Sequence, residues 1–325
     1  MKARFVMIVA VSAAASGVAG AQCGAGVAQQ GCQAALDLVN YMTPQLATAI
    51  AGGSPTLAQS GALGGLGRFA LSIRGTGVMN GAFPNIGDKP FLTNSAAQTY
   101  TSKDAVVPGV GVDFSVGIWK GVNLGATHVG GIDALVSALY LPDVSEGDIS
   151  IKANDGNLKL GYGIRVGVLD ESIITPGVYI SYLQRDLPTV SLTGESSAAS
   201  GAGTATGTFA LNDFSVKTTA IRLVAQKSLL IFGLSLGVGQ DSYKSSARVS
   251  AAVTSPIAGS STGVASLNMT RTNVFGGVSF NFFVFKLAVE AGQVSGGSIK
   301  KTVNDFGKPA SDSRNYVSGG LRFAF

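Results

Sequence analysis

Charge is scarce in this chain: Asp, Glu, Lys and Arg make up 13% of its 325 residues, where a soluble domain carries about 25%. Long apolar runs are missing as well. Beyond about the first twenty residues, no stretch of roughly 18 uncharged apolar residues is present to span a bilayer as one helix, although mean hydropathy is high at +0.35. That combination disfavours both a soluble globule and a helical membrane protein. A β-barrel satisfies it, because its apolar residues sit at alternate positions of many strands. One His and two Cys leave no His/Cys cluster for zinc, so neither a metal nor another cofactor is expected. The net charge of +5 falls to +3 once a leader carrying Lys2 and Arg4 is removed. With no basic run or stripe beside it, that charge gives no ground for a nucleic-acid partner.

The amino terminus reads as an export signal. Lys2 and Arg4 form a basic start, Phe5 to Ala15 an apolar stretch, and Ala19-Gly20-Ala21 a small-residue site that predicts cleavage before Gln22. Residues 1–21 are thus a signal peptide. Cys23 invites a lipoprotein reading, but Gln22 stands where lipid-attachment signals carry a small residue. Cys23 and Cys32, close together in an oxidising compartment, are expected to form a disulfide.

From Cys32 to Ala51 the apolar residues Leu36, Val39, Tyr41, Leu46, Ala49 and Ile50 recur mostly at three- and four-residue steps, with Gly52-Gly53 as a stop. This predicts a short helix, and Pro44 should kink or split it. It is too polar and too interrupted to span a bilayer. Residues 22–61 therefore form either a cap packed on a barrel end or a plug inside the lumen.

Residues 62–325 show the two-residue period of strands. Leu66 to Met79 sets Phe69, Leu71 and Ile73 against Arg68, Ala70, Ser72 and Arg74. Val110 to Ile118 alternates likewise, and Leu158 to Val168 sets Leu160, Tyr162, Ile164 and Val166 toward lipid with Lys159 and Arg165 inward. Further strands are expected near 121–137, 173–193, 207–226, 229–253, 264–282, 284–299 and at the end of the chain. The fold class is all-β: an antiparallel up-and-down transmembrane barrel of about ten strands. A hairpin hidden in 80–107 or 138–155 would raise the count to twelve or fourteen. Joints near Lys120, Asp170, Lys227 and Phe283 are short, and those at 80–107, 138–155, 194–206, 255–263 and 300–312 are long, the rhythm of periplasmic turns and outer loops. The uncharged, low-complexity stretch 196–207 is expected to be a mobile surface loop.

Parity places Arg68, Arg74, Lys159, Arg165, Lys286 and Arg322 in the lumen, with Asp113 and Glu290 as counter-charges. So many cations against two anions need water or further neutralising groups. Either the charges form ion-pair ladders in a closed barrel or they bias a passage toward anionic or amphipathic solutes. Gly161-Tyr162-Gly163 is not a nucleotide loop, since no helix follows and the spacing to Gly167 is wrong. His128 is the one imidazole, with Thr127 and Asp133 to be weighed as hydrolase partners. On a regular strand 128 and 133 point to opposite faces, so a bulge at Gly130-Gly131 would be needed. No catalytic residue is assigned.

The last strand, Asn315 to Phe325, resembles the carboxy-terminal sorting signal of bacterial outer-membrane barrels: polar Ser318, Gly320, then aromatic Phe323 and Phe325. The resemblance implies outer-membrane lipid and the barrel-assembly machinery as partners. A second likeness lies at the amino end. Asn40-Tyr41-Met42-Thr43-Pro44-Gln45-Leu46, then Gly52-Gly53, then Leu63-Gly64-Gly65-Leu66-Gly67-Arg68-Phe69-Ala70-Leu71 resembles the start of an uncharacterised family of bacterial outer-membrane proteins. It implies an amino-terminal helix followed by a barrel loosely similar to fatty-acid transport barrels. Three functions follow as expectations: a passive conduit for small solutes partly occluded by the helix, a structural or surface-contact barrel, and a hydrolase using His128. Oligomeric state is left open, since no outward face is distinguished from lipid-facing surface.

Overall fold

The computed structural model describes residues 23–86, 89, 97–125, 127–141, 143–146, 149–200, 203–255, 257–299 and 302–325. The expected signal peptide lies outside the described residues. Among the described residues one helix, α1 (Gln29–Ala51), precedes fifteen strands: β1 (Phe69–Pro84), β2 (Ser102–Trp119), β3 (Val122–Asn123), β4 (His128–Val129), β5 (Gly131–Tyr140), β6 (Val144–Glu146), β7 (Ile149–Ala153), β8 (Leu158–Leu169), β9 (Gly177–Asp186), β10 (Val190–Ser200), β11 (Gly203–Leu229), β12 (Phe232–Ser255), β13 (Gly259–Phe282), β14 (Phe285–Ser295) and β15 (Arg314–Ala324).

Ten of these close a ring in the order β1-β2-β5-β8-β9-β11-β12-β13-β14-β15, every neighbour antiparallel. Closure comes from the two ends of the barrel sequence. Ala70 pairs with Ala324 and Ile73 with Leu321, and the backbones of Phe69 and Phe325 exchange hydrogen bonds at 3.2 and 2.9 Å. Their rings stack at 5.2 Å. A chain ending on an aromatic thus leaves no sheet edge at the seam.

The rim that carries Phe69 and Ala324 is the near rim. Outward side chains beside it are apolar all round. Along β12 they run Phe232, Leu234, Leu236, Val238 and then turn polar from Gln240 to Arg248. Seven residues of strand rise roughly 23 Å, the height of the apolar band on a membrane barrel. β11, with 27 residues, is far longer than the roughly 9–11 needed to cross, so its first half projects beyond the band.

Several expectations are corrected by pairing. The low-complexity stretch is not an unstructured loop: Ser196 pairs with Gly207 and Ser200 with Gly203 in the hairpin β10–β11, because a ladder needs backbone groups, not large side chains. The joint at 255–263 is a tight turn, with Val253 already opposite Gly259. The joint after Lys120 is longer than expected and holds the small hairpin β3–β4. A hairpin does lie within 138–155, as β6–β7, but it pairs onto β10 outside the ring. β1 begins at Phe69, not Leu66, because Gly64, Gly65 and Gly67 take positive φ in a turn that only glycine enters freely. Arg68, in that turn, is exposed at the near rim and does not line the lumen.

Pro44 neither ends nor divides α1, which runs unbroken for 23 residues. The hydroxyls of Thr43 and Thr48 bond back to the carbonyls of Val39 and Pro44, at 2.7 Å each. The helix lies inside the ring, in contact with β1, β2, β9, β11, β12, β13 and β15. That surround explains why Leu36, Val39, Tyr41, Pro44 and Ile50 are buried along with polar Gln30, Thr43, Gln45 and Thr48. Leu46 is half-buried.

Candidate functional site: a filled lumen and an apolar chamber

Cys23 and Cys32 are bonded to each other, and Ser261 Oγ donates to the Gly24 carbonyl at 2.7 Å. The helix therefore starts at the far rim and points inward. Its carboxy-terminal carbonyls meet three arginines from three strands. Arg185 Nη1 reaches the Ile50 carbonyl at 3.3 Å, Arg222 Nη2 that of Ala51 at 3.0 Å, and Arg74 Nη1 those of Gly52 and Ser54 at 3.0 and 3.2 Å. A helix end leaves such carbonyls without intrahelical donors and concentrates negative partial charge there. The arginines answer both.

Carboxylates balance these cations. Asp113 lies between Arg185 and Arg74, at 2.7 and 3.7 Å. Arg222 pairs with Asp241, and Arg165 with Asp133, whose Oδ2 accepts from Arg165 Nε at 2.8 Å. All these side chains are buried. Beyond the helix, residues 52–68 thread toward the near rim along this polar wall. Glu290 accepts the Ser54 amide at 2.8 Å, Tyr179 and Ser54 share a hydrogen bond of 2.7 Å, and Asp133 accepts the Leu63 amide at 3.0 Å. Arg322 and Lys286 donate to the Ala58 carbonyl at 3.2 and 3.3 Å. Lys159 is half-buried on the inward face of β8.

The sequence reading missed Asp133, Arg185, Arg222 and Asp241 as inward groups. Alternation within β9, where Tyr179, Ser181, Leu183 and Arg185 share a buried face, held a usable signal for Arg185. Asp133 was weighed as a partner of His128, yet its oxygens are engaged by Arg165 and Leu63. His128 itself is half-buried in the near-rim hairpin, its carbonyl accepting the Asp170 amide at 2.9 Å. Thr127 Oγ1 bonds to the Asp170 carbonyl at 2.7 Å. Among the described residues, His128, Thr127 and Asp133 are not brought together as a hydrolytic set. Among the described residues no group of three potential metal ligands occurs.

The far half of the lumen differs. Between one face of α1 and the wall lies a cavity of about 730 Å³. Leu38, Val39, Met42 and Leu46 face Phe83, Leu139, Leu187, Leu192, Phe209 and Phe214 across it, and among the described residues Glu195 is the one carboxylate in its lining, with no Lys, Arg or His. Among the described residues the wall is incomplete here. β5 pairs with β2 from the Gly111–Leu139 rung toward the near rim, and no described residue pairs with 102–110 of β2 on that side. The outer sheet β11-β10-β7-β6 ends at β6, and among the described residues nothing bridges the two edges. Val110 and Tyr140, both outward and exposed, line the same cavity. Among the described residues the chamber thus opens through the wall.

No known protein family and no curated protein sequence matches this chain. Several solved structures are similar in outline. One described as a TodX deltaS2S3 mutant monoaromatic hydrocarbon channel has 9% identity and a TM-score of 0.30, over 85% of this chain and 97% of its own. The Pseudomonas putida toluene transporter TodX has 11% identity and a TM-score of 0.30, over 86% and 96%. An anion-selective porin from Comamonas acidovorans has 14% identity and a TM-score of 0.15, over 79% and 99%. Overlaps of this size do not assign a shared function.

Proposed function

We propose that this protein is a passive outer-membrane conduit for small, uncharged hydrophobic solutes, which it receives in the chamber between α1 and the wall. The chamber carries the reading. Its volume of about 730 Å³ falls within the roughly 300–1,000 Å³ of ligand pockets, and is several times the ~150 Å³ apolar cavity that accepts benzene. A mostly apolar lining that among the described residues holds one carboxylate and no cation disfavours an anion. The arginines beside the helix end, which sequence parity alone would have lent to an anionic passage, are already engaged by carboxylates and carbonyls. The break in the wall gives solute a sideways path that leaves the packed near half undisturbed.

The same reading puts the chain in a bacterial outer membrane, facing lipid with its apolar band. Ser318, Gly320 and Phe323 on β15, with Phe325 directly after it, are the segment offered to the assembly machinery. A structural barrel is the second reading, favoured by the filled near half.

The test is transfer of an uncharged naphthylamine dye into liposomes holding the refolded protein, wild type against Leu46→Trp and Met42→Trp. Both substitutions narrow the chamber from the helix side without touching a charged group. Wild type should bind and transfer dye, with both variants folded and impaired. Unchanged dye binding in the variants, or none in the wild type, would sink the conduit and leave the structural barrel. Planar-bilayer conductance of the wild type should be silent to salt, because the near half is packed.

A further inference from the structure

On the side of α1 away from the chamber lie two buried arginines. Arg271 on β13 is 1% exposed and Arg314, the first residue of β15, is 3% exposed. Among the described residues neither makes an ion pair within 4.0 Å. Arg271 Nη2 donates to the carbonyls of Ser311 and Asp312 at 3.2 and 2.6 Å. Arg314 reaches the Asn80 and Pro309 carbonyls only at 3.4 and 3.5 Å. Among the described residues Arg271 Nε and Nη1 and Arg314 Nε are buried with no hydrogen-bond partner, and the buried Tyr41 hydroxyl faces the Arg314 guanidinium with its own proton still to donate.

These groups belong together. Arg314 acts electrostatically on both Arg271 and the Tyr41 hydroxyl, and Tyr41 is itself wedged against Phe306, ring centres 5.0 Å apart. The nearby acids do not resolve the imbalance: Asp241 is held by Arg222, and Asp312 turns an exposed side chain to solvent. A guanidinium out of water needs an opposite charge and acceptors for its N–H groups, and buried donors are rarely left unpaired. Every orphan in this cluster can donate and the guanidinium ones can do nothing else. What completes it is an acceptor-rich anion, and the forked geometry of arginine fits an oxyanion best.

We propose that Arg271, Arg314 and Tyr41 form a binding site for a small oxyanion, a phosphate or a carboxylate. The ligand joins three parts of the molecule: the plug through Tyr41, the wall through both strands, and residues 309–312 through the carbonyls that share the arginines. Binding therefore fastens α1 in its seat. The site does not depend on the transport reading, since it lies off the chamber and none of its residues lines it.

The experiment is thermal unfolding of the refolded full chain at constant ionic strength in sodium phosphate, sodium acetate or sodium chloride, with phosphorus NMR line broadening as a direct readout of phosphate contact. The wild-type midpoint should rise by about 5 °C or more at a roughly hundredfold excess of anion over its dissociation constant, and phosphate should broaden. Phosphate active alone marks a tetrahedral ligand; acetate as well marks a general oxyanion site. Arg271→Gln should abolish both readouts. Tyr41→Phe, which removes one donor and keeps the ring packing, should weaken them by severalfold and guards against an arginine variant that fails to fold. A midpoint in phosphate and acetate no higher than in chloride, or broadening that persists undiminished in both variants, overturns the site.

Discussion

Replacing Asp133 by Asn should destabilise the barrel by about 3–5 kcal/mol, the range for removing one partner of a buried ion pair. The upper part of that range applies, because Asp133 and Arg165 are both 0% exposed and Arg165 has no second carboxylate within ion-pairing distance among the described residues. Arg165 also lies 5.4 Å over the Tyr179 ring, which offers its charge far less than a carboxylate does. The amide oxygen of Asn can still accept the Leu63 amide, so the loss reports the charge and not the tether. Arg165→Met alone should cost a similar amount by stranding Asp133. Asp133→Leu with Arg165→Met should cost much less than Asp133→Leu and Arg165→Met added together, since apolar replacement of a whole buried pair is often near neutral. Urea unfolding of the refolded protein in lipid vesicles, followed by the single tryptophan, Trp119, half-exposed at the near rim, measures all four corners of the cycle. A double variant that loses the full sum would refute the coupling and, with it, the account of how the near half tolerates its charges.

Gly320 sits where a Cβ would meet the Ile73 carbonyl oxygen at 2.3 Å and Leu57 Cδ1 at 2.6 Å. Gly320→Val should therefore block closure of β15 on β1, seen as loss of the heat-modifiable band, whereas Gly319→Val, where a Cβ would meet its nearest atom at an ordinary 3.8 Å, should not. In the near-rim turn, burial opposes the charge of Glu171, yet bonds from Ser60 and from the Ser228 amide and hydroxyl, with the Lys227 charge, hold its carboxyl below the ordinary Glu value. A carboxyl lowered in the fold contributes stability above its unfolded value and loses it as pH falls through the folded one. Glu171→Gln should thus flatten the fall in thermal midpoint between about pH 6 and about pH 3; an unchanged slope would show the group to be idle.

Much of the barrel was legible because its evidence is local. The alternation of Leu158, Leu160, Tyr162, Ile164 and Val166 with Lys159, Gly161, Gly163 and Arg165 states which side of β8 meets lipid wherever β8 ends up. The same holds for the last strand, whose aromatic end needs a partner. Glycines misled at Leu66, where a positive-φ turn was read as strand, and low complexity misled at 196–207, where small residues pair as well as large ones.

Parity says that a charge points inward; it does not say what the charge meets. Arg185 on β9 reaches Asp113 on β2 across the lumen, past β5 and β8, and no sequence spacing encodes that contact. It exists because ten strands close at one register and bring distant inward positions to a common centre. The seat of α1 was open for the same reason: an amphiphilic helix of this composition suits a cap as well as a lumen until the ring around it is drawn. The chamber, the break between β2 and β6, and the uncompensated pair Arg271 and Arg314 are likewise properties of the closed ring. The chain alone determined that there is a barrel, a lipid face and a helix. Tertiary structure decided what fills the barrel and where it is left open, because filling depends on distances across the lumen and local periodicity carries none.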